Sequence, residues 1–319
     1  MKIAVLERNS AGTDIKMDYS DLGEVTYYPN TVTKKEVAER IKDADIVVAN
    51  KAPFCEETLA GAKNLKLICE LATGYDNCDL AYCKEKGIQI RNVVNYSTAM
   101  VAQHTFALAL SLIGRLPHYD NYVKSGDYGA QDRFSNFDLP FYELDGKVWG
   151  IVGMGNIGRR VAKIAETLGC KVIFYSASGK STCTDYERVD LDTLLEKSDV
   201  LSLHCPLTDR TRHLIDDSAL RKMKSSAVLV NVARGAVVDN RALYEALKSG
   251  GIKAAGLDVL EQEPISSDNP LGLFKDSNQL IITPHLAWAS VEARTRCAAE
   301  VRKNIEAFLR GEDRNLVNP

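Results

Sequence analysis

Short apolar runs alternate with amphipathic segments along the first 100 residues of the chain. The apolar runs predict buried strands, and the segments between them predict helices. The predicted strands are 3–6, 45–49, 65–70 and 88–92, and the predicted helices are 34–42, 56–62 and 79–86. Alternation of this kind is typical of a parallel sheet with helices on both faces. We therefore predict an α/β fold with a doubly wound parallel sheet.

Two unusual segments follow this first alternation. Residues 101–116 are almost continuously apolar, which predicts a helix that is buried nearly all round. Such a helix could connect two domains, form a subunit interface, or do both. Residues 118–141 are polar, irregular in pattern and rich in aromatic side chains. We interpret them as an ordered arm or loop that could dock on a second subunit.

The alternation of strands and helices then resumes. The predicted strands are 147–152, 171–175, 200–204, 228–232, 254–259 and 280–283, and the predicted helices are 157–168, 191–197, 217–223, 240–249 and 290–310. Asp239 is placed to cap the helix that begins at Asn240. A second parallel sheet is therefore expected, and a length of 319 residues suits two domains.

A glycine-rich motif lies between the first strand and the first helix of this second half. It reads Gly153-Met154-Gly155-Asn156-Ile157-Gly158. In this position Gly153 permits a tight turn, Gly155 lets the backbone approach a pyrophosphate, and Gly158 lets helix and strand pack closely. The helix start offers free N–H groups to phosphates. We predict dinucleotide binding; the alternative is a glycine-rich structural turn.

Composition and charge exclude several other classes of protein. Apolar residues make up 45% of the chain and charged residues 26%, as in ordinary globular proteins. A net charge of −3 gives no general attraction to nucleic acid or to an anionic membrane. No apolar run reaches the ~18–20 residues that span a bilayer. The eight cysteines form no CxxC pair, so we expect reduced thiols in the cytoplasm and no metal site.

Three residues with chemical potential follow predicted strands in the second half of the chain. They are Arg234, Glu263 and His285, and ligands of open parallel sheets bind outside the carboxyl ends of strands. A guanidinium suits bidentate binding of a carboxylate, and a histidine with a carboxylate partner is an acid–base group. Taken singly, each residue could be an ordinary surface or structural residue. Together with a bound nicotinamide they describe reduction of a 2-keto acid.

Six segments make the chain resemble the D-isomer-specific 2-hydroxyacid dehydrogenase family over nearly its whole length. They are 71–77, 153–158, 203–208, 232–235, Asp258 with Glu263-Pro264, and Pro284-His285. The run 284–290 is most similar to the glycerate dehydrogenase (hydroxypyruvate reductase) branch. The resemblance implies a Rossmann nucleotide domain at 101–287, inserted into a flavodoxin-like substrate domain at 1–100 and 288–319. It also implies a homodimer.

The resemblance assigns roles to the residues of the substrate site. His285 would be the general acid that protonates the carbonyl oxygen, and Glu263 would hold and polarise it. Arg234 would bind the substrate carboxylate and keto oxygen, and the backbone at Thr73 and Gly74 would complete the carboxylate site. The pocket would be shaped by Asn50, Lys51, Tyr75 and Phe54, of which Lys51 is expected to bind substrate.

The resemblance also implies a set of cofactor-binding residues. Asp258 would accept a hydrogen bond from the nicotinamide carboxamide, while Asn156 and Ile157 would lie on the pyrophosphate. The remaining expected contacts are Gly153, Gly155, Gly158, Cys205, Pro206, Thr211, Val232 and Ala233.

One position departs from the pattern of the family. NAD-dependent members usually carry an aspartate at the end of the second nucleotide strand, where it binds the ribose and repels a 2′-phosphate. This chain has Ser176 there, followed by Ser178 and Lys180. These groups could receive a 2′-phosphate, or Ser176 could still bind the ribose of NAD. We therefore predict NAD or NADP, with tolerance of NADP.

Three functional hypotheses follow from the sequence. The first is reduction of hydroxypyruvate or glyoxylate to the D-2-hydroxy acid. The second is reduction of another 2-keto acid, such as pyruvate or a branched or aromatic keto acid. The third is a dinucleotide-sensing binding protein, like the corepressors that share this fold. The joint presence of Arg234, Glu263 and His285 favours an enzyme, because a binding role would not need all three.

Overall fold

The chain divides into two compact units in a computed structural model that describes residues 1–276 and 278–319. The first unit is Met1–Ser97 together with Trp288–Pro319, and the second is Thr98–Ala287. The second unit therefore begins at Thr98, where the sequence predicts a domain start at 101.

The first unit contains a five-stranded sheet in which every neighbouring pair of strands is parallel. The strand order is β2-β1-β3-β4-β5, the order of flavodoxin-like folds. Its strands are β1 (Lys2–Val5), β2 (Glu24–Tyr27), β3 (Ile46–Ala49), β4 (Leu67–Glu70) and β5 (Gln89–Arg91). Its helices are α1 (Lys34–Ile41), α2 (Glu56–Leu59), α3 (Leu80–Glu85) and α11 (Val291–Leu309).

Residues from the end of the chain complete this first unit. The buried guanidinium of Arg91 donates to the carbonyl oxygens of Asn304 at 3.1 Å and Glu312 at 2.8 Å. The carbonyl oxygen of Ile90 accepts the backbone N–H of Val317 at 3.0 Å. The outer edge of β5 is therefore covered by the segment that follows α11, which protects an otherwise open strand edge.

The second unit contains a seven-stranded sheet, again entirely parallel. Its strands are β6 (Val148–Val152), β7 (Lys171–Tyr175), β8 (Glu187–Arg188), β9 (Val200–Leu203), β10 (Val228–Asn231), β11 (Ala254–Leu257) and β12 (Leu280–Ile282). Its helices are α4 (Thr98–Ile113), α5 (Leu116–Lys124), α6 (Asp127–Ala130), α7 (Asn156–Thr167), α8 (Leu191–Lys197), α9 (Asp217–Lys222) and α10 (Asn240–Ser249).

The strand order of the second sheet is β12-β11-β10-β9-β6-β7-β8. From β6 the chain adds strands toward one edge of the sheet, and from β9 it adds them toward the other edge. The pair of β6 and β9 is therefore the topological switch point of a Rossmann sheet, and ligands bind at such a point, outside the carboxyl ends of the strands. The predicted fold class, α/β with two doubly wound parallel sheets, is confirmed.

Buried apolar strands hold the second unit together. Every residue of β9, β10 and β11 is buried, as expected of parallel strands that are covered on both faces. On one face α4 packs against the sheet, where the ring centroids of Phe106 and Trp149 lie 4.5 Å apart. The Trp149 indole donates a hydrogen bond to Ser202 Oγ at 2.9 Å, so its one polar atom is satisfied inside the core.

The prediction of an irregular arm at 118–141 is wrong in part. The structure has α5 and α6 within this segment, and Arg115 takes a left-handed conformation (φ 54°) that separates α5 from α4. None of the residues of α5 is buried, so the segment lacks the buried apolar face by which helices were predicted elsewhere in the chain. The proline at position 117, in the first turn of α5, is the helix-start signal that the interpretation missed.

Membrane-spanning potential is confined to one pair of helices. Among the residues that the structure describes, no single helix has the length and apolarity to cross a bilayer. Taken together, α4 and α5 meet the criteria of length and composition, but they are bent by 60° at the break between them.

Candidate active site

His285 and Glu263 form a close pair at the carboxyl end of the second sheet. His285 follows β12, and its Nδ1 atom lies 2.6 Å from Oε2 of Glu263. The other carboxylate oxygen of Glu263 accepts the backbone N–H of Leu260 at 3.0 Å. The carboxylate is thus fixed by the main chain on one side and orients the imidazole on the other.

The backbone of His285 takes an unusual conformation that is held in place by hydrogen bonds. Its φ is 52°, in the left-handed region that side chains other than glycine seldom adopt. Its N–H donates to the carbonyl oxygens of Asp258 at 2.8 Å and Thr283 at 2.9 Å. Non-glycine residues persist in this region only where the surroundings determine them, and such residues cluster at functional sites.

The carboxylate of Asp258 organises the loop that carries His285. It is 1% exposed and follows β11. One oxygen accepts the hydroxyl of Thr283 at 2.6 Å and the N–H of Leu286 at 2.9 Å. The other oxygen accepts the N–H of Ala287 at 2.8 Å. The carboxylate therefore binds the chain on both sides of His285.

These donors determine the charge of Asp258. Burial alone would raise the pKa of the carboxyl, but hydrogen bonds from His104, Thr283 and the backbone outweigh it and lower the pKa. His104 Nε2 lies 2.9 Å from Thr283 Oγ1 and 3.5 Å from Asp258 Oδ1. Asp258 is therefore ionised at neutral pH, and the stability that it contributes is lost only as the pH falls through its lowered pKa.

Arg234 lies in a segment that packs directly against the loop of Glu263. It follows β10 in extended backbone, and its guanidinium donates to the carbonyl oxygen of Ala233 at 2.9 Å. At Gly235 a Cβ atom would stand 1.9 Å from the carbonyl carbon and oxygen of Leu260. Glycine is thus required for the two backbones to meet, and this contact sets Arg234 beside the loop that holds Glu263.

The three predicted catalytic residues therefore all lie at the carboxyl ends of the strands of one sheet. Since β10, β11 and β12 are neighbours in that order, Arg234 and His285 follow strands on either side of β11. The distance between β10 and β12 is two strand spacings, or roughly 10 Å. Asp258 and Glu263 follow β11, the strand between β10 and β12, and so lie between Arg234 and His285.

The glycine motif forms a tight loop at the switch point. Gly153 has a φ of 95°, and a Cβ there would approach the carbonyl oxygen of His204 to 2.8 Å. A Cβ at Gly158 would lie 2.1 Å from the carbonyl oxygen of Gly153. At Gly155, the residue before α7, a Cβ would meet nothing within 4 Å. The loop is closed on the protein side and open on the side where a ligand can approach.

A cavity of about 360 Å³ lies beside this loop. Seven of the predicted cofactor residues line it: Gly153, Gly155, Ser176, Lys180, Cys205, Pro206 and Thr211. The others do not line it: Asn156, Ile157, Gly158, Val232, Ala233 and Asp258. Asn156 and Ile157 begin α7 next to Gly155, whereas Val232 and Ala233 follow β10.

The cavity has cationic and hydroxyl residues that the sequence interpretation did not assign. They are Arg159, Ser181, Thr182, Thr208 and Arg210. Arg159 is the fourth residue of α7, so its position in the first helical turn after the glycine loop was a usable signal. Arg210 lies beside Thr211 in the loop after β9, where no local pattern marks it. Thr211 itself is 2% exposed, and its hydroxyl donates to the carbonyl oxygen of Pro206 at 2.7 Å.

The cavity fits a phosphate-bearing dinucleotide. Arg159, Lys180 and Arg210 are among its lining residues, and none of the described residues that line it is acidic. The start of the twelve-residue helix α7, with open space at Gly155, adds backbone N–H groups and the positive end of a helix dipole. His204, which also lines the cavity, is half-buried, and desolvation of its ring lowers its pKa to about 3, so it adds no charge.

The predicted substrate residues of the first unit lie in loops at the carboxyl ends of its strands. Lys51 follows β3, and its backbone N–H donates to Glu7 Oε2 at 2.9 Å. Thr73 and Gly74 follow β4. The Thr73 hydroxyl donates to the carbonyl oxygen of Val93 at 2.8 Å, and its own carbonyl oxygen accepts from the Asn92 amide at 2.7 Å. The segment is thus anchored to the chain that follows β5.

Among the residues that the structure describes, no group of three or more His, Cys, Asp or Glu side chains could hold a metal ion. All eight cysteines are free thiols.

The family model for the D-isomer specific 2-hydroxyacid dehydrogenase, NAD binding domain, matches residues 106–287 of this chain. This range contains the glycine loop, the cavity, Arg234, Asp258, Glu263 and His285. The chain belongs to the D-isomer specific 2-hydroxyacid dehydrogenase family. It is therefore an NAD(P)-dependent oxidoreductase that acts on CH–OH groups.

Similar proteins match over the full length of the chain. A glycerate dehydrogenase of Methylorubrum extorquens is 40% identical, covering 99% of this chain and 98% of its own length. A hydroxypyruvate reductase of Blautia hydrogenotrophica is also 40% identical, with both chains wholly covered. Among solved structures, D-lactate dehydrogenase of Aquifex aeolicus, complexed with NAD and lactic acid, is 32% identical with a TM-score of 0.87. The match covers 100% of this chain and 99% of that one.

The contact at Gly235 yields a first test. We expect Gly235→Ala to lower the free energy of unfolding by about 2 kcal/mol or more, because backbone atoms of Leu260 cannot move aside as a side chain would. Chemical denaturation of the purified protein measures this. The matched control is Gly129→Ala in α6, where a Cβ meets nothing within 4 Å. Equal stability of the two variants would show that the close approach at Gly235 does not constrain the site.

Proposed function

We propose that this protein reduces hydroxypyruvate or glyoxylate to the corresponding D-2-hydroxy acid with NAD(P)H. The observation that carries the proposal is the 2.6 Å contact between His285 and Glu263. Both residues lie at the carboxyl ends of the strands of the sheet that also carries Arg234. The two relatives described above, a glycerate dehydrogenase and a hydroxypyruvate reductase, support the choice of substrate. Pyruvate and larger 2-keto acids are the alternative substrates.

His285 acts as the general acid in this proposal. With Nδ1 held by Glu263, the ring gives its proton from Nε2 to the carbonyl oxygen of the substrate. A bound nicotinamide would supply the hydride for the carbonyl carbon. His285 then regains a proton from solvent, and in the reverse direction the neutral ring accepts the proton of the hydroxyl group. Glu263 keeps the ring in one orientation through both directions.

Arg234 binds the anionic end of the substrate in this proposal. The planar guanidinium of Arg234 suits a carboxylate and a neighbouring keto oxygen, which a single ammonium group cannot bind in the same way. Within the first unit, the groups that suit a carboxylate are the backbone N–H groups at Thr73 and Gly74 and the positive charge of Lys51. We assign the first unit the role of substrate domain and the second unit that of nucleotide domain.

The dinucleotide is held by the glycine loop and the cavity beside it. Gly153, Gly155, Asn156, Ile157 and Gly158 provide the phosphate site. Cys205, Pro206 and Thr211 line the cavity on the β9 side, and Val232, Ala233 and Asp258 are the residues that would hold the nicotinamide. Asp258 already binds three groups of the protein, so its role toward a carboxamide would be shared with its role in holding the loop of His285.

His285→Ala tests the chemistry. The natural chain should turn over in assays with NADH or NADPH and a panel of 2-keto acids. The fall in absorbance of the reduced cofactor measures this turnover. We expect the substitution to lower kcat by ~10²–10⁴-fold, the usual contribution of general acid–base catalysis.

The chain offers a closely matched control. His213 also has a left-handed backbone (φ 49°) and a carboxylate partner, with its Nε2 atom 3.2 Å from Glu261 Oε2. His213→Ala should leave kcat unchanged. Near-normal turnover in His285→Ala would remove His285 from the role of acid, and no turnover by the natural chain with any 2-keto acid would favour a dinucleotide-binding role instead.

We further propose that the enzyme accepts NADP. Ser176, at the end of β7, is 6% exposed and stands where an aspartate would repel a 2′-phosphate. It lines the cavity together with Lys180, Arg159 and Arg210. Three cations and several hydroxyl groups, with no carboxylate among the described lining residues, suit a phosphate monoester better than a ribose hydroxyl alone.

Ser176→Asp tests the cofactor preference. The added carboxylate should lower kcat/KM for NADPH by about tenfold or more and spare NADH, because it repels only the 2′-phosphate. Lys180→Ala should raise KM for NADPH alone, whereas Lys197→Ala, at the exposed end of α8 and outside the cavity, should change neither cofactor. A natural chain that strongly prefers NADH, with no response to either substitution at 176 or 180, would contradict the proposal.

A homodimer is the proposed assembly. Aromatic side chains of the segment after α6 are exposed: Phe134 is 88% exposed and Phe137 is 73% exposed. Nearby, Phe141 and Tyr142 are more than half exposed. A cluster of exposed aromatic residues of this kind marks an interaction surface, and a second copy of the chain would cover it.

Light scattering after size-exclusion chromatography measures the assembly. We expect twice the mass of one chain, and a lower mass for the double variant Phe134→Ser, Phe137→Ser, which removes the apolar contact. Leu168→Ser, at an exposed leucine after α7, is the control for replacing an exposed apolar side chain elsewhere and should leave the mass unchanged. A monomeric natural chain would refute the dimer.

A cytoplasmic location is the last proposal. Eight free thiols, most of them buried, suit a reducing compartment, where disulfides do not persist. Cell fractionation with detection of this chain would decide the point.

A further inference from the structure

Glu70 is a buried carboxyl group that the proposed mechanism does not use. It is the last residue of β4, and none of its surface is exposed. Its Oε1 atom accepts the amide of Asn77 at 3.2 Å and the thiol of Cys78 at 3.1 Å. Its Oε2 atom has no hydrogen-bond partner within the described part of the chain. A buried polar atom without a partner is rare enough to require an explanation.

The contacts of Glu70 join two points of the chain that enclose a short segment. Glu70 directly precedes the segment, residues 71–78, and Asn77 and Cys78 end it. Asn77 is itself anchored. Its side-chain amide also donates to the carbonyl oxygen of Ala52 at 2.8 Å, and its backbone carbonyl oxygen accepts the N–H of Phe54 at 2.8 Å. Between these ends lie Thr73 and Gly74, the residues to which we assign the substrate carboxylate.

We propose that Glu70 is a positioning residue for substrate binding, which fastens both ends of segment 71–78 and so sets the shape of its carboxylate-binding backbone. This inference rests on the proposed function, because it takes Thr73 and Gly74 to bind the keto acid. Glu70 does not touch the substrate in this scheme; it acts through the segment that it closes.

The surroundings of Glu70 favour its neutral form. Burial raises the pKa of Glu70 from 4.5 to about 8, and the negative charge of Glu7 acts in the same direction. The hydrogen bonds from Cys78 and Asn77, and the charge of Lys51, oppose the rise without cancelling it. The thiols of Cys69 and Cys83 lie within electrostatic range of the carboxyl group, and burial raises the pKa of each.

The neutral acid suits a segment that must bind an anion. At pH 7 Glu70 keeps Oε1 as an acceptor without placing a second negative charge beside Glu7. Above pH 8 the acid ionises, and Oε2 then carries charge in a buried position without a partner among the described residues. The segment must loosen to hydrate that charge, and the added negative charge also disfavours a bound carboxylate. Affinity for the keto acid should therefore fall as Glu70 ionises.

The experiment compares KM for hydroxypyruvate between about pH 6.5 and about pH 9.5 in the natural chain and in Glu70→Gln, which keeps the acceptor and cannot ionise. We expect similar KM values at the lower pH and a KM on the order of fivefold higher in the natural chain at the higher pH. The ratio of the two enzymes cancels effects of His285 that are common to both. Glu85→Gln, at the exposed end of α3, is the control and should follow the natural chain.

Glu70→Val removes the acceptor instead of the charge. It leaves the Asn77 amide and Cys78 thiol without their common partner, so we expect KM for hydroxypyruvate at pH 7 to rise about tenfold, with KM for the reduced cofactor unchanged. Normal turnover with an unchanged KM in Glu70→Val, or a pH profile in Glu70→Gln identical to that of the natural chain, would overturn this inference alone. Absence of turnover in the natural chain would instead overturn the proposed function.

Two measurements without substrate keep the question decidable if Glu70→Val folds poorly. The folded chain holds the Glu70 proton more tightly than the unfolded chain, so the natural chain should lose Tm relative to Glu70→Gln as the pH rises from about 4.5 to about 8. Amide hydrogen exchange of segment 71–78 should be faster in the natural chain at about pH 9.5 than in Glu70→Gln. A constant difference in Tm and equal exchange would show that Glu70 does not fasten the segment as a neutral acid.

Discussion

The buried carboxylate of Asp258 is the constraint on which the site depends. A charge with 1% exposure is tolerated only if it is hydrogen-bonded, and its donors come from the chain on both sides of His285. Satisfying Asp258 therefore fixes the left-handed turn at His285, and with it the distance from the imidazole to Glu263 in the loop after β11. The geometry of the acid pair follows from the need to solvate a charge inside the protein.

Two buried carboxyl groups of the molecule have opposite charge states at neutral pH. Asp258 accepts a hydroxyl and two backbone N–H groups, and its pKa is lowered. Glu70 accepts one amide and one weak thiol donor on a single oxygen, and its pKa is raised to about 8. Both groups have almost no exposed surface, but Glu70 is the more deeply buried, and Asp258 has the additional hydrogen bond from His104; burial and donors together decide which group is ionised.

The fold could be predicted from the sequence wherever the elements are buried. Strands such as β7 (Lys171–Tyr175) and helices such as α8 (Leu191–Lys197) match their predicted bounds, because apolar periodicity records burial. The exposed edge strand β2 and the fully unburied helix α5 were missed for the same reason. Among the residues that line the cavity, those of the glycine motif were assigned from the sequence, whereas Arg210 was not, because only the fold brings its loop to the switch point.

The covering of β5 by the end of the chain has a consequence for biosynthesis. The first unit needs α11 and the residues after it, through the contacts of Arg91 with Asn304 and Glu312. A ribosome releases residues 288–319 only after all of residues 98–287, so the unit that is begun first is the one that must be finished last. Domains usually fold in the order in which they are made. Here residues 1–97 are made with an unprotected strand edge that stays open while the nucleotide unit is completed, and an open strand edge favours aggregation of the nascent chain.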